Sequence, residues 1–458
     1  MSSSIVSLSS IWYEFKKSKV GLTGLAILAF LIILSIVALS VTSAERLRGW
    51  NDPAAWSLYP RNAMPAWVNL FSSYRLTEHT ILNKPEVIVD DSSNIKQIKH
   101  VYNLKYTYDT MPTDIIIAYK VRYQGSSLMQ VSITRPDGDT IEYARVSFPS
   151  NASEQVYESI LFSTDKAVQD SIGNNLGRYK FPIEKSDTLT AVFSSYDKRD
   201  VLKGYYTLTL TFFLFNASDD VIDSKVVVGG RVYGLLGTDE LRRDLSIGIV
   251  WGAPLALFIG VSVASISVII GMIYGIVSGY KGGRIDEAMM RLNDVVYALP
   301  ALPLLILLAV SVGRSILLIV AYLIIFGWVG IAKVSRSIAL QIKSLAYIEA
   351  AELMGQSSIR IITKHIFPQL LPYAFASIAI SVPGAIITEA GLSFLGLGDP
   401  TIPTWGQILH DANLYGAAAR GLWWWIIPPG IMIALTGLAF VLIGNALDTI
   451  VNPRIKRI

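Results

Sequence analysis

The stretch EAAELMGQSSIRIITKHIFPQLLP occupies residues 349–372 and carries five acidic, basic or histidine side chains. It lies between two strongly apolar runs, residues 313–334 and residues 370–390. Its first part is rich in helix-forming residues, and Gly355 permits a turn that a Cβ atom would strain. The part after Ser357 is amphipathic, and Pro368 is expected to end it. The pattern predicts a charged helical hairpin between two apolar segments.

The composition is typical of a membrane protein. Mean hydropathy is +0.46, and only 16% of the 458 residues are charged, which is too apolar for an ordinary soluble chain. Cysteine is absent and the four histidines are scattered, which argues against disulfides and against a metal site. The net charge of +4 gives no reason to expect nucleic acid as a partner. No G-x-x-x-x-G-K-[ST] sequence occurs, so we expect no catalytic residue and no bound cofactor in this chain.

Six segments are apolar enough to cross a bilayer, which takes about 20 residues for a helix. They are residues 20–41, 246–278, 292–312, 316–332, 371–390 and 423–442. The first could also be a cleaved signal peptide, although its length favours a membrane anchor. The predicted fold class is therefore an α-helical polytopic membrane protein with six transmembrane helices.

The basic residues are concentrated on one side of these spans. That side carries Lys16, Lys17, Lys19, Lys281, Arg284, Arg291, Lys333, Arg336, Lys343, Arg360, Lys364, Arg454, Lys456 and Arg457. The short loops on the other side carry only Arg314 and Arg420. Because basic loops stay in the cytoplasm, both termini and the hairpin are predicted to be cytoplasmic in a multi-pass protein of the cell membrane.

Residues 43–241, between the first two spans, have a different character. The segments DIIIAYKVRY (114–123) and YYTLTLTFFLF (205–215) alternate as half-buried strands do. SLMQVSITRPDGDTIEYARVSF (127–148) predicts two strands around a turn at Gly138. We expect residues 43–241 to form a large all-β extracellular insert. It would separate a first domain, residues 1–42, which holds the amino terminus and the first transmembrane helix, from a transmembrane domain at residues 242–458. The sequons at Asn151 and Asn216 support the outer location only weakly.

Four motifs occur in this order: GTDELRRD (237–244), GYKGGRIDEAMMRLNDVVYALP (279–300), Glu349-Ala350-Ala351 with Gly355 and His365-Ile366-Phe367-Pro368, and ITEAGLSFLGLGDPTIPTWGQIL (387–409). Together they resemble the dipeptide/oligopeptide family of ABC importer permeases, in the class of its second permease subunit. The resemblance covers about residues 12–42 and 235–455. Two positions depart from the pattern, since Arg242 stands where glycine is usual and Phe367 where leucine is usual.

The resemblance implies that residues 335–369 form the EAA-type coupling loop, which docks on a separate ATPase. Glu349 would contact the ATPase or cap the loop, Ala350 and Ala351 would allow close seating, and Gly355 would set the bend. Pro368 closes the motif. The implied partners are a homologous second permease, two ABC ATPase subunits that use ATP, an extracellular substrate-binding protein and membrane lipid. Judged by spacing alone, a solvated amphipathic linker on lipid headgroups fits the hairpin equally well.

Other residues are candidates for packing or for a translocation path. Gly271, Gly275 and Gly279 give one helix a smooth face for close packing, within the subunit or against a second permease. Asp294 and Glu389 are ionisable groups near spans, where such groups are often functional. Prolines are expected to interrupt three spans: Pro300 with Pro303 in one, Pro383 in another, and Pro428 with Pro429 in the last.

The implied function is import of peptides, or of oligosaccharides or nickel complexes as in relatives. Two other classes stay open. A membrane-anchored surface-binding protein would carry its function in the β insert, but a mere anchor needs no cytoplasmic docking hairpin. A secondary transporter is disfavoured by the lack of inverted repeats and of paired intramembrane charges.

Overall fold

The computed structural model describes residues 8–41, 47, 49–90, 95–216 and 218–451. The chain divides into two compact units. The helical unit comprises the described parts of residues 1–51 and 247–458, and the insert unit is Asp52–Ser246. The side predicted to be cytoplasmic also includes Arg454, Lys456 and Arg457, which lie outside the described residues.

Apolar and small residues build the helices that precede and follow the insert. In chain order they are α1 (Leu8–Phe15), α2 (Lys19–Val41), α3 (Leu245–Lys281), α4 (Gly283–Ala298), α5 (Ala301–Ser311), α6 (Ile316–Gly327), α7 (Val329–Lys343), α8 (Ala346–Leu353), α9 (Ser358–Ile361), α10 (Phe367–Phe394), α11 (Trp405–Leu414) and α12 (Trp423–Val451). A π-helical turn, Ile362–Ile366, joins α9 to α10.

Five helical segments in the described residues are long and apolar enough to cross a membrane. They are Lys19–Ser40, Leu245–Lys281, Ile316–Lys343, Ser358–Phe394 and Trp423–Ile450. The predicted span at 292–312 is not one helix, because α4 and α5 meet at a bend of 78°. The prediction of six spans holds only if this bent pair counts as one.

The bend follows from Pro300. A proline disfavours the helical conformation of the residue before it, and Leu299 adopts φ −70° and ψ 134°, which is extended. Pro300 then caps α5. The other expected interruptions were wrong, since Pro383 lies inside the continuous α10 and Pro428 inside the continuous α12. Neighbouring helices and local backbone adjustments let membrane helices tolerate such residues.

The expectation that Pro368 ends the hairpin helix was also wrong. Pro368 lies directly after a π-helical turn, where the regular i→i−4 bonding is already interrupted and a proline is tolerated. The preceding turn is widened, so that the Phe367 N–H bonds the Ile362 carbonyl, five residues back. The hairpin therefore continues into a membrane-spanning helix without a break.

The insert unit is a sandwich of two antiparallel sheets. Its strands are β1 (Thr80–Leu82), β2 (Glu86–Asp90), β3 (Lys96–Tyr106), β4 (Asp114–Gly125), β5 (Leu128–Thr134), β6 (Thr140–Ser147), β7 (Asn151–Phe162), β8 (Gly204–Leu214) and β9 (Asp220–Gly229). One sheet has the order β1-β9-β4-β7 and the other β2-β3-β8-β5-β6. Two short helices, Lys166–Gly173 and Thr188–Phe193, join β7 to β8.

The predicted strands of the insert are confirmed. β4, β5, β6 and β8 match the alternating segments, and β5 and β6 flank a turn in which Gly138 has φ +86°. The inward residues of both sheets form one core rich in tyrosine and β-branched residues. Hydrophobic burial of this extent gives the unit a core of its own.

The last segment of the insert is fastened by two ion pairs. Arg243 donates from Nε to Asp239 Oδ2 at 2.6 Å, and both side chains are buried. Arg242 has φ +67°, a left-handed conformation that glycine adopts without strain. Its guanidinium bonds the buried Asp114 carboxylate at the start of β4 and the Tyr59 carbonyl at 2.8 Å. The ion pair with Asp114 helps to offset the cost of the left-handed backbone at Arg242.

Candidate functional site

The candidate site is the hairpin formed by α8 and α9. After α8 the chain reverses at Gly355, which has φ +78°. The Gly355 N–H bonds the Glu352 carbonyl at 2.9 Å, and the Gln356 N–H bonds the Ala351 carbonyl at 3.1 Å. This pair of bonds satisfies carbonyls that the helix end leaves open, and it requires a left-handed residue at its centre. Ser357 then caps α9 by accepting from the Arg360 N–H.

The hairpin has a buried side that belongs to the core of the helical unit. Ile348, Ala351 and Ile361 are at most 2% exposed and pack with residues of α3, α7 and α10. Ala351 therefore faces the core, whereas Ala350 is exposed. Ala350 and Ala351 were expected to lie on one contact surface, but they face different sides of the hairpin.

The opposite side of the hairpin is apolar and open. Leu353 is 90% exposed, Ile359 is 75% exposed and Met354 is 73% exposed. Glu349, predicted to contact a partner or cap the loop, is also exposed beside them. Clustered large apolar side chains at this exposure are typical of a surface that binds another molecule. We call Leu353, Met354 and Ile359 the apolar tip.

Polar contacts fasten the hairpin to the carboxyl-terminal end of α3. Tyr280 Oη donates to Glu352 Oε1 at 2.9 Å, and Lys343 Nζ donates to the Tyr280 carbonyl at 2.7 Å. Six residues after Tyr280, on α4, Asp286 accepts two bonds from Arg336 at 2.6 and 2.5 Å. A bidentate pair of this kind fixes geometry as well as charge. These contacts connect α3, α4 and α7 to the base of the hairpin.

The second half of the hairpin has its own polar contacts. His365 Nε2 lies 3.1 Å from Gln356 Oε1, which ties the π-helical turn back to the reversal. Gln369 Nε2 donates to the Tyr347 hydroxyl and bridges α10 to α8. The two arms of the hairpin are thus held together on both sides of the turn.

The three glycines of α3 lie against the backbone of α7. A Cβ atom on Gly271 would come within 2.5 Å of the Trp328 carbonyl, and one on Gly275 within 2.3 Å of the Ala332 carbonyl. On Gly279 it would come within 2.8 Å of the Arg336 carbonyl. This contact lies within the subunit, and it brings α7 close enough for Arg336 to reach Asp286.

The candidate pathway residues do not come together as one site. Asp294 is exposed and pairs with Lys333 Nζ at 2.8 Å. Glu389 is 5% exposed and accepts from Ser393 Oγ at 2.7 Å on the next turn of α10. Pro383 is buried in the same helix. Of these two acids Glu389 is the one buried within a span, which makes it the stronger ionisable candidate.

Sequence reasoning missed the polar contacts at the base of the hairpin. The sequence patterns place Asp286 in a motif and Arg336 among the basic residues, and neither pattern indicates that the two side chains pair. The available signal is a charge of each sign near the ends of two apolar segments, where pairing lowers the cost of burial. Within the described part of the chain, no three His, Asp or Glu side chains converge as metal ligands would.

Among solved structures, the chain is similar to the MetNI methionine ABC transporter in an inward-facing conformation. The TM-score is 0.37 with 20% sequence identity, over 46% of this chain and 97% of that one.

Residues 246–457 match the family described as binding-protein-dependent transport system inner membrane component. The dipeptide transport system permease protein DppC of Bacillus subtilis is 40% identical over 222 residues, which are 48% of this chain and 69% of that protein. The oligopeptide transport system permease protein OppC of Haemophilus influenzae is 34% identical over 255 residues, 55% of this chain and 80% of that protein. These relatives are permease subunits rather than ATPases. The chain is an integral membrane protein and belongs to the family of binding-protein-dependent transport system inner membrane components.

Proposed function

We propose that this chain is one permease subunit of an ATP-driven importer of peptides. It forms the translocation path with a homologous second permease, and two separate ATPase subunits supply the energy. An extracellular binding protein delivers the substrate. The observation that carries the proposal is the hairpin, which is rigidly fastened to the spans on one side and open and apolar on the other.

The apolar tip fits a groove on a soluble partner. Burying a leucine, isoleucine or methionine side chain contributes about 1.5–3 kcal/mol, so three such residues can anchor a protein contact. Lipid headgroups would also accept apolar residues, and Arg360 and Lys364 balance the charges of Glu349 and Glu352, so charge does not distinguish the two occupants. We favour an ATPase over a lipid surface because the relatives are permease proteins of transport systems.

The contacts of the hairpin suggest how movement of the ATPases reaches the path. Ile348, Ala351 and Ile361 share one core with α3, α7 and α10. A close-packed core transmits displacement instead of absorbing it. The Tyr280–Glu352 bond and the Asp286–Arg336 pair add direct links. We infer that ATP-driven closure of the ATPases shifts the hairpin and these helices together, which opens the path outward.

The substrate class rests on the relatives, whose names specify dipeptides and oligopeptides. We propose peptides for this chain and keep oligosaccharides as the alternative. The separate binding protein would select the substrate, so ligand identification on that protein distinguishes the two. A bound peptide supports the proposal, and a bound sugar favours the alternative.

The proposed orientation places both termini and the hairpin in the cytoplasm and the insert unit outside. The distribution of basic residues supports it. Because the chain has no native cysteine, single cysteines at Ser344 and Ser126, both exposed, can be labelled without background. In sealed cells an impermeant thiol reagent should label position 126 and leave position 344 unlabelled. Labelling of both positions would overturn the orientation.

We further propose that the insert unit helps to dock the substrate-binding protein or contacts a neighbouring subunit. The alternative is a shielding module without a transport role. Replacing residues 52–244 with a Gly/Ser linker should lower uptake most strongly when the binding protein is limiting. Unchanged uptake under that condition would favour shielding.

The competing function is a membrane-anchored surface-binding protein that works through its β unit. Purification through a tag on this chain discriminates the two. An importer permease should bring an ATPase with it, whereas a surface-binding protein should not.

A further inference from the structure

A second exposed apolar surface lies on the insert unit, at the end nearest α3. Leu70 is 80% exposed, Phe71 is 83% exposed, and Tyr74 and Leu235 are each 68% exposed. Trp67 stacks edge-on against Phe71 with ring centroids 6.4 Å apart. We call Trp67, Leu70, Phe71, Tyr74 and Leu235 the aromatic face. Contiguous apolar groups at this exposure are uncommon on a surface that only meets water.

The aromatic face is held in a fixed shape by hydrogen bonds. Asn69 accepts from the Leu76 N–H at 2.9 Å and donates to the Leu76 carbonyl at 3.1 Å, which closes the loop that carries Leu70 and Phe71. Trp67 Nε1 donates to the Leu235 carbonyl at 3.0 Å and joins this loop to the second segment. The exposed side chains therefore project from an ordered support.

The segments that carry the aromatic face are also hydrogen-bonded to the first residue of α3. The Leu245 N–H bonds the Gly237 carbonyl at 3.1 Å, and the Thr238 N–H bonds the Ala63 carbonyl at 2.9 Å. Leu235 is two residues from Gly237, a reach of at most about 7 Å. From Leu245 to Tyr280 the chain carries no charged residue. The aromatic face is thus joined by a short chain of hydrogen bonds to Leu245, the residue at which an uncharged helix begins.

We propose that the aromatic face inserts into the headgroup–acyl layer of the bilayer and anchors the insert unit to the membrane beside α3. Tryptophan and tyrosine are enriched at this depth because their rings are apolar and their polar atoms still reach water or a backbone partner. Leucine and phenylalanine at neighbouring positions supply the apolar area that an interfacial contact needs. The proposal depends on the membrane insertion of α3 and not on what the protein transports.

A label at the opposite end of the sandwich serves as the matched control. β4 starts at Asp114, which contacts Arg242 near the base, and its 12 residues end at Gly125. At about 3.3 Å per residue the strand spans about 40 Å. Gln124 contacts Asn216 at that far end, and the adjacent Phe215 is 47% exposed. Phe215 is therefore an exposed aromatic residue far from the membrane entry.

The test uses the full chain with its co-purified subunits in phosphatidylcholine–phosphatidylglycerol vesicles. Phe71→Cys, Leu70→Cys and Phe215→Cys each carry one nitroxide label. Collisions with a water-soluble nickel chelate should be several-fold rarer at positions 70 and 71 than at 215, while collisions with oxygen should be more frequent. Equal chelate access at all three positions would overturn the proposal. Protection that persists in a lipid-free polymer, or that appears only when binding protein is added, would also overturn it and indicate a protein contact.

Discussion

The hairpin and the insert unit differ in where their buried residues lie. The buried residues of the hairpin share one core with three membrane helices, α3, α7 and α10. The buried residues of the two sheets and of the two short helices between β7 and β8 form a separate core. A segment that shares its core with the spans can transmit movement to them. A unit with a hydrophobic core of its own can be added to a permease without disturbing the helices that form the translocation path.

The glycines of the two regions show the same difference. In α3 three glycines are required because a neighbouring backbone lies against them. In the insert, Gly138 is required because the turn needs a positive φ, and nothing lies within 4 Å of where its Cβ would be. Packing between helices determines where α3 needs glycine, and local turn geometry determines where the insert unit needs it. The predictions that follow test this separation, beginning with the largest effect.

The strongest effect is expected at the turn of the hairpin. Gly355→Val, or deletion of residues 349–355, should abolish uptake while the protein still inserts into the membrane. A β-branched residue in the left-handed region costs at least about 1–2 kcal/mol and would open the reversal. Gly355→Asn is the control, because asparagine tolerates that conformation, and it should retain uptake. Normal uptake and normal ATPase co-purification in the valine or deletion variant would defeat the coupling role.

A large loss is also expected when the glycine face of α3 is filled. In Gly275→Leu the new side chain would meet the backbone of α7, so that the Asp286–Arg336 pair could not form in its present geometry. The amount of monodisperse protein recovered in detergent should fall sharply. Gly384→Leu in α10 is the matched control, because nothing lies within 4 Å of its Cβ position. Equal recovery of the two variants would mean that α3 and α7 do not pack this closely.

A moderate effect confined to the insert is expected at Arg242. Arg242→Gly relieves backbone strain worth about 1–2 kcal/mol, but breaking a buried ion pair costs about 3–5 kcal/mol. The free energy of unfolding of residues 52–244 should therefore fall by roughly 2 kcal/mol, as measured by chemical denaturation. The double variant with Asp114→Ala should lose less than the sum of the single losses. Full additivity would show that the two side chains do not interact.

The smallest effect concerns pH. Burial, aided by the Arg242 guanidinium, lowers the pKa of His79 from 6.5 to about 4. The unfolded chain therefore binds a proton between pH 6.5 and 4 that the folded insert does not, so stability falls as the pH falls through this window. The effect appears only below pH 6.5 and vanishes at neutral pH, where His79 is uncharged in both states. His79→Phe should flatten the pH dependence of the melting temperature relative to the parent. An unchanged slope would mean that His79 titrates normally.

The sequence predicts the parts of the fold that local patterns decide. Alternation and the turn at Gly138 identified β5 and β6, and the flexibility of Gly355 identified the reversal of the hairpin. Hydropathy located the spans but could not show the 78° bend at Pro300, because a window average does not register the conformation of one residue. Pro368 was predicted to end the hairpin helix, but the helix continues through it after a widened turn that no local pattern marks. The separate faces of Ala350 and Ala351, and the Asp286–Arg336 pair, likewise follow from tertiary contacts.

The measurement that tests the central claim most directly is ATPase co-purification with a variant of the apolar tip. Leu353→Asp with Ile359→Asp places two charges on the exposed side of the hairpin and leaves its buried side intact. Leu414→Asp is the control, since Leu414 is 67% exposed at the end of α11, outside the hairpin. The ATPase should co-purify with the parent and with the control and be lost from the tip variant, together with uptake. Retention of the ATPase by the tip variant at the parent's stoichiometry would contradict the claim that this surface couples ATP hydrolysis to transport.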